Sequence, residues 1–444
     1  MPYLFLPSIR RLTERAFSRH AEVSGRLGLT VREEARFVRA EAPVSGMPHT
    51  SEARMKCMNE KVAAAVRAGA EPRRDRTLAD FKDELSPELV KRLGSEIARA
   101  SASFDRTAFE QCAIEGLEGR ELMARMEWIA HALTETMPPA PEDADQVVRA
   151  ALADGGLQGW ASMPVNAYVA RAMLDRPDIG LPLLAALTPR YTAEFAIRPF
   201  IDAQYETTMA HLRVWTRDPD EHVRRLVSEG SRPRLPWGRR LSGFIADPTP
   251  TLELLDALVD DESLYVRRSV ANHLNDIAKD HPDLVLDTAK RWAATTTQGD
   301  FVVRHGLRTL IKRGHPEALT ILGFDPAVPI EITNLTCTPS TVAIGEAVTI
   351  SFTLQAAAAT RAAIDYVVHY QGARGLKAGK VFKLSVKNLP AGKSVVLSRE
   401  HRFGHVSVRK IHPGPHRIEV QVNGRVLDGA VVEVVDDVTS GTSA

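Results

Sequence analysis

Catalytic chemistry in this sequence has to come from carboxylates. There is no Gly-rich phosphate loop, no HExxH, no GxSxG and no Cys/His cluster. The fourteen histidines are scattered. His401 and His405 are four residues apart, but in a strand-rich segment where helical spacing has no meaning. No metal site and no cofactor is expected. What remains is carboxylates and one tryptophan, Trp237, in an arginine-rich setting. From Arg224 to Arg240 there are six arginines (Arg224, Arg225, Arg232, Arg234, Arg239 and Arg240) against one acid, Glu229. Fixed carboxylates suit reactions that build positive charge. They stabilise that charge, and one can orient water as a general base. Arginines suit phosphate contact.

A second basic stretch lies further on. Arg374, Lys377, Lys380, Lys383, Lys387, Lys393, Arg399, Arg402, Arg409, Lys410 and Arg417 are accompanied only by Glu400, a local charge of about +10. The whole chain carries only +1 over its 444 residues. Two concentrated basic surfaces on a neutral chain point to polyanion contact at particular places. The alternative is two ordinary solvated faces, although the acids that normally intersperse such faces are nearly absent.

These residues need a scaffold, and the hydrophobic periodicity supplies two kinds. Residues 1–76 read as an N-terminal extension, partly helical or disordered, with Met55 and Met58 as candidate internal starts. Residues 77–325 read as helical throughout, with segments at Phe81–Ala100, Phe109–Gly116, Glu121–Leu133, Asp145–Ala153, Asn166–Leu174 and Ile179–Leu187. The array contains a repeat. Aligning Val223, Val266 and Val303 places Arg224, Arg267 and Arg304 in one column, and Val227, Val270 and Leu307 in the next apolar one. Steps of 43 and 37 residues suit HEAT or armadillo units, which stack into a solenoid with a concave binding face. The Asp-then-Arg pattern of each unit suits ties between neighbouring repeats.

At about Pro326 the period changes. IEITNLTCTP, AVTISFTLQA, AAIDYVVHYQ, VFKLSVKNLP, SVVLSREHRF and HRIEVQVNGRV alternate or run β-branched, punctuated by PAGK, PGPH and Asn423-Gly424. Residues 326–436 therefore read as an all-β immunoglobulin-like sandwich without a Cys…Trp…Cys core. Residues 437–444 read as a disordered tail. The fold class is mainly α: a HEAT-like α-solenoid followed by that sandwich.

Three strings carry a resemblance: EFAIRPFI (Glu194–Ile201), EHVRRLVSEGSRPRLPW (Glu221–Trp237) and YVRRSVANHLNDIAKD (Tyr265–Asp280). With IDYVVHY, KVFKL and PGPHRIEVQVNG in the C-terminal domain, the chain from about Phe81 resembles the AlkC-type DNA glycosylases, in the branch with an immunoglobulin-like module. Residues 1–76 lie outside the resemblance. It implies a glycosylase that excises cationic N3-methylated bases, 3-methyladenine and 3-methylcytosine, from duplex DNA without flipping the base. It also implies catalytic roles for Glu194, Glu229, Asp276 and Trp237, with Arg225 and Arg232 completing the site. Together with the basic stretches it marks Arg225, Arg232, Arg234, Arg267, Lys377 and Lys380 as DNA-binding. Cleaving the N-glycosidic bond of a cationic base builds an oxocarbenium-like sugar, which carboxylates stabilise without metal or cofactor.

Each of these residues has a plainer alternative. Glu194 is spaced to pair with Arg198, and Arg225 with Glu229, as helix salt bridges. Asp276 falls late in its helix, where the macrodipole disfavours an acid, and can cap the next turn. Trp237 after Pro236 can be an inter-repeat core residue.

The partner expected is double-stranded DNA containing alkylated bases, bound by a monomer with no membrane association. Three distant cysteines and no secretory signal fit a reducing cytoplasm. A second functional reading is a non-catalytic HEAT-repeat DNA-binding or scaffold protein. The two separate on where Glu194, Glu229 and Asp276 lie.

Overall fold

Several helices begin where the sequence supplies a first-turn proline or a capping oxygen. Pro87, Pro141, Pro177, Pro282 and Pro316 each open a helix, where the missing N–H costs nothing. Asp105, Asp220 and Ser263 cap others through their side chains. The computed structural model describes residues 81–405 and 410–436. The N-terminal extension, the C-terminal tail and Arg409 lie outside the described residues.

The helical array runs α1 (Pro87–Ala100), α2 (Arg106–Glu115), α3 (Leu122–Thr136), α4 (Pro141–Ala153), α5 (Ser162–Ala172), α6 (Pro177–Leu187), α7 (Ile197–Ala203), α8 (Tyr205–Trp215), α9 (Glu221–Gly230), α10 (Ser242–Ala246), α11 (Thr249–Leu258), α12 (Leu264–Ile277), α13 (Pro282–Thr295), α14 (Gly299–Gly306), α15 (Arg308–Lys312) and α16 (Pro316–Ile321). One apolar core runs through it from Leu85 to Ala318. The segment expected as one helix from Phe81 to Ala100 is divided. A short 3-10 turn precedes Ser86, because a residue before proline is held extended.

The repeat column holds in space. Val223, Val266 and Val303 are all buried, as are Val227, Val270 and Leu307. Arg224 reaches forward from α9 to both oxygens of Asp261, ahead of α12, at 2.7 and 3.1 Å. It also caps the Asp218 carbonyl at 2.9 Å, so one buried arginine ties a repeat to its neighbour.

The C-terminal domain is a sandwich of β1 (Ile330–Thr338), β2 (Thr341–Ala343), β3 (Ala347–Ala356), β4 (Thr360–His369), β5 (Gln371–Gly372), β6 (Gly375–Leu376), β7 (Lys380–Leu389), β8 (Ser394–Arg402), β9 (Gly414–Val422) and β10 (Arg425–Val435). One sheet has the order β1-β3-β8, the other β2-β10-β9-β4-β7, and β5 with β6 forms a small hairpin. Val348, Ile350, Phe352, Leu354, Ile364, Val368, Ile418 and Val420 fill the space between the two main sheets.

Several contacts join the domains, among them a donation from Arg361 to the Leu322 carbonyl at 2.9 Å. Leu319 and Phe324 pack on Ala363 of β4. Gln421 donates to the Lys312 carbonyl at 2.7 Å. The Asn423-Gly424 turn then presses so closely on Gly314 that a Cβ on Gly424 would sit 1.9 Å from the Gly314 Cα. No helix among the described residues is long and apolar enough to cross a membrane.

Candidate active site

The conspicuous feature of the array is a chain of alternating charges that links three segments of the sequence. Glu194 lies just before α7, Arg225 and Glu229 on α9, Arg232 in the following loop, and Asp276 in the last turn of α12. Arg225 Nη1 is 2.6 Å from Glu194 Oε2, and its Nη2 is 3.7 Å from Glu229 Oε1. Arg232 Nη1 donates to Glu229 Oε1 at 2.5 Å. Arg232 Nε and Nη2 both reach Asp276 Oδ2 at 2.8 Å, and Lys279 Nζ reaches Oδ1 at 2.9 Å. Glu194, Glu229, Arg232 and Asp276 are all buried.

Buried charges persist only when paired and hydrogen-bonded. Burial opposes the charge on Arg225, but Glu194 and Glu229 outweigh it and its pKa is raised. Burial likewise opposes the charge on Arg232, and Glu229 and Asp276 again prevail. The arginines stand between the carboxylates. Among the described residues no group of three His, Cys, Asp or Glu side chains is arranged to hold a metal.

Glu229 and Asp276 have both oxygens engaged, Glu229 Oε2 accepting from Ser269 Oγ at 2.6 Å. Glu194 differs. Its Oε2 accepts from Thr192 at 2.8 Å and from Arg225, while Oε1 makes no hydrogen bond within the described residues. Arg225 also lies over the Tyr265 ring, 5.2 Å from its centroid.

The tryptophan is placed by an arginine that the local spacing had assigned elsewhere. Arg198 is fully buried and does not pair with Glu194. It donates to the carbonyls of Gly230 and Arg232 at 2.8 Å each, and to that of Arg239 at 2.7 Å. Its guanidinium thus gathers the loop between α9 and α10, and burial pushes its pKa down to about 10. At the tip of that loop Trp237 is 56% exposed with φ at +63°. It is not an inter-repeat core residue. A bulky residue in the left-handed region is strained, and such strain concentrates at functional sites.

The six residues marked as DNA-binding divide sharply. Arg225 and Arg232 belong to the charge chain. Arg234 meets both oxygens of Asp280 at 2.7 and 2.8 Å. Arg267 folds back on the Asp261 and Glu262 carbonyls at the start of its own helix. Lys377 and Lys380 are exposed, and the Lys380 ammonium lies 5.4 Å from the Phe382 ring centroid.

The local charge count around Arg224–Arg240 therefore overstates free positive charge. Asp261, Glu194, Asp276, Asp280 and Asp202 come from distant segments to meet five of the six arginines. The C-terminal stretch keeps its lysines in solvent. Lys380, Lys383 and Lys387 lie on β7, the outer strand of its sheet, where lysines also keep an open edge from pairing with another chain.

Sequence reasoning gave Arg198 only as a helix partner for Glu194, and it missed Thr192, Tyr265, Ser269 and His273. The last two carried a usable signal. Ser269, His273 and Asp276 recur at helical spacing on α12, a polar stripe where a repeat helix should be apolar.

An α-solenoid of HEAT-like repeats that buries three carboxylates among arginines, exposes a tryptophan on the loop that carries Arg232, and ends in an immunoglobulin-like sandwich, defines a class. A profile of the C-terminal Ig-like domain of the uncharacterised protein YhaZ matches residues 331–436. Uncharacterized protein YhaZ of Bacillus subtilis (strain 168) is 34% identical over 358 residues, covering 80% of this chain and all of that protein. The solved structure of Pseudomonas fluorescens alkylpurine DNA glycosylase AlkC, bound to DNA containing an abasic site analog, is 37% identical. It superposes with a TM-score of 0.76 over 80% of this chain and 99% of that one. The chain belongs to the AlkC-type family, in the branch with a C-terminal immunoglobulin-like domain.

Proposed function

We propose that this protein is a monofunctional DNA glycosylase that releases cationic N3-alkylated bases, 3-methyladenine and 3-methylcytosine, from duplex DNA. The observation that carries this reading is the buried chain Glu194–Arg225–Glu229–Arg232–Asp276, with Trp237 exposed on the same loop as Arg232. The Pseudomonas relative, an alkylpurine DNA glycosylase seen with abasic-site DNA, supports it.

An N3-alkylated base is already positive and leaves readily, so the sugar becomes oxocarbenium-like as the bond breaks. Glu229 and Asp276, each fixed at both oxygens, act as preorganised negative charge whose alignment need not change during the reaction. Glu194 Oε1 is the oxygen open to accept from the attacking water. Trp237, outside the core, packs against the sugar or lesion, where its ring favours a cation. The site takes the sugar in the stack, without flipping the base. Arginines and the exposed C-terminal lysines contact phosphates, so that the two domains clamp the duplex.

Base release from duplexes containing 3-methyladenine or 3-methylcytosine tests this. Release of both, with little release of uracil, is expected, because the site offers no acid to protonate a neutral leaving group. No release from either cationic lesion, with duplex binding intact, would leave a non-catalytic DNA-binding protein.

A further inference from the structure

Arginine is not the only support under Glu229. Ser269 and His273 lie one helical turn apart on α12 and face Ser228 and Glu229 of α9. Ser269 Oγ is 2.6 Å from Glu229 Oε2 and 3.0 Å from Ser228 Oγ. His273 Nδ1 is 2.9 Å from the Ser228 carbonyl. Ser228, Ser269 and His273 are all buried.

The hydrogens in this group are assigned by valence. A carboxylate and a carbonyl only accept. The single hydrogen of Ser269 therefore goes to Glu229, which leaves the Ser228 hydroxyl to donate to Ser269. His273 carries its hydrogen on Nδ1 and gives it to the Ser228 carbonyl. Among the described residues its Nε2 has no partner, which suits an unprotonated nitrogen better than a buried N–H. The order is directional: Ser228 hydroxyl to Ser269 hydroxyl to Glu229, with His273 fixing the Ser228 backbone. Arg232 grips Oε1 but is shared with Asp276. Among the described residues Ser269 alone donates to Oε2, so it sets the rotation of the carboxylate plane.

We propose that Ser269 is a positioning residue for Glu229, its hydroxyl held in place by Ser228 and His273. This rests on the glycosylase reading, since Glu229 is placed there as a charge facing the developing oxocarbenium. Misorienting one fixed charge, without removing it, should cost less than deleting it.

The test is a double-mutant cycle in the full-length protein, using wild type, Ser269→Ala, Glu229→Gln and the double variant. Single-turnover release of 3-methyladenine at saturating protein and affinity for abasic-analogue duplex are measured for each. Ser269→Ala should slow release about tenfold while changing affinity by less than about twofold. In the Glu229→Gln background the same change should slow release by less than about twofold. An equal loss in both backgrounds, or no loss from Ser269→Ala alone, overturns the proposal.

Should Ser269→Ala fail to fold, Ser269→Cys keeps the side-chain shape with a slightly larger atom and a much weaker donor. It should give a smaller loss that again vanishes beside Glu229→Gln. If wild type releases no base, the glycosylase reading falls. Thermal melts of the same four proteins then still report on the contact, and strictly additive melting shifts overturn the grip of Ser269 on Glu229.

Discussion

Arg232 meets Asp276 through two nitrogens, Nε and Nη2, each 2.8 Å from the same oxygen, Oδ2. That geometry leaves Oδ1 to Lys279 and holds the carboxylate rigidly inside the protein. A single-atom change therefore tests charge without changing shape. Asp276→Asn, Glu229→Gln and Glu194→Gln should each slow base release about a hundredfold, on the order of 3 kcal/mol. Affinity for abasic duplex should change little. Full activity in all three would remove the site.

Trp237 offers a test of strain held for function. Its φ of +63° costs an ordinary residue roughly 1–2 kcal/mol, and glycine nothing. Because the ring is mostly exposed, its loss forfeits little packing. Trp237→Gly should melt at the same temperature as wild type or higher, while base release falls. A markedly lower melting temperature would mean that the ring supports the fold.

The lysines of the sandwich are tested by salt. Each phosphate contact contributes roughly 0.9 to the slope of log affinity against log salt. Replacing Lys377, Lys380, Lys383 and Lys387 by alanine should make the slope shallower for damaged and undamaged duplex alike. An unchanged slope with new self-association would instead assign the β7 lysines to guarding the sheet edge.

His273 makes stability depend on acid. Burial lowers its pKa from the ordinary 6.5 to about 4. Between those values the unfolded chain binds a proton that the folded protein refuses, so stability falls as pH drops through the window and is full above it. The loss should reach about 3 kcal/mol by pH 4. His273→Gln should lower stability at pH 7 yet flatten the fall between pH 6.5 and pH 4, as read by melts across pH. An unaltered slope would mean that other groups govern acid sensitivity.

The domain joint is tested at a glycine. Gly424 has φ at +74° and a Cβ there would strike the Gly314 backbone. Gly424→Ala should open the joint, lower the melting temperature and expose the segment around Phe324 to protease. Gly429→Ala, in β10 of the same domain, meets side chains and one carbonyl at 3.2 Å or more and should cost less. Equal effects would show that the joint is loose.

The sequence by itself determined whatever depends on near neighbours in the chain. The 3.6-residue apolar period from Leu78 to Gly323 sufficed to read the helical array. The Val223, Val266 and Val303 column was legible because each repeat must bury the same helix face. Alternation after Pro326, with Asn423-Gly424 as a turn, sufficed for the sandwich. It missed the short β2, β5 and β6, whose two or three residues are too few to show a period.

What only the tertiary structure decided is which charges meet. Arg234 and Asp280 are 46 positions apart, and Arg224 and Asp261 37. A count of nearby charges therefore read neutralised arginines as a free basic face. Spacing offered Arg198 to Glu194, but a fully buried guanidinium follows the carbonyls that most need donors, and those belong to the loop holding Trp237. Ion pairing carries no period along the chain. It is fixed by the stacking of repeats, which brings the start of α7, the end of α9 and the end of α12 together.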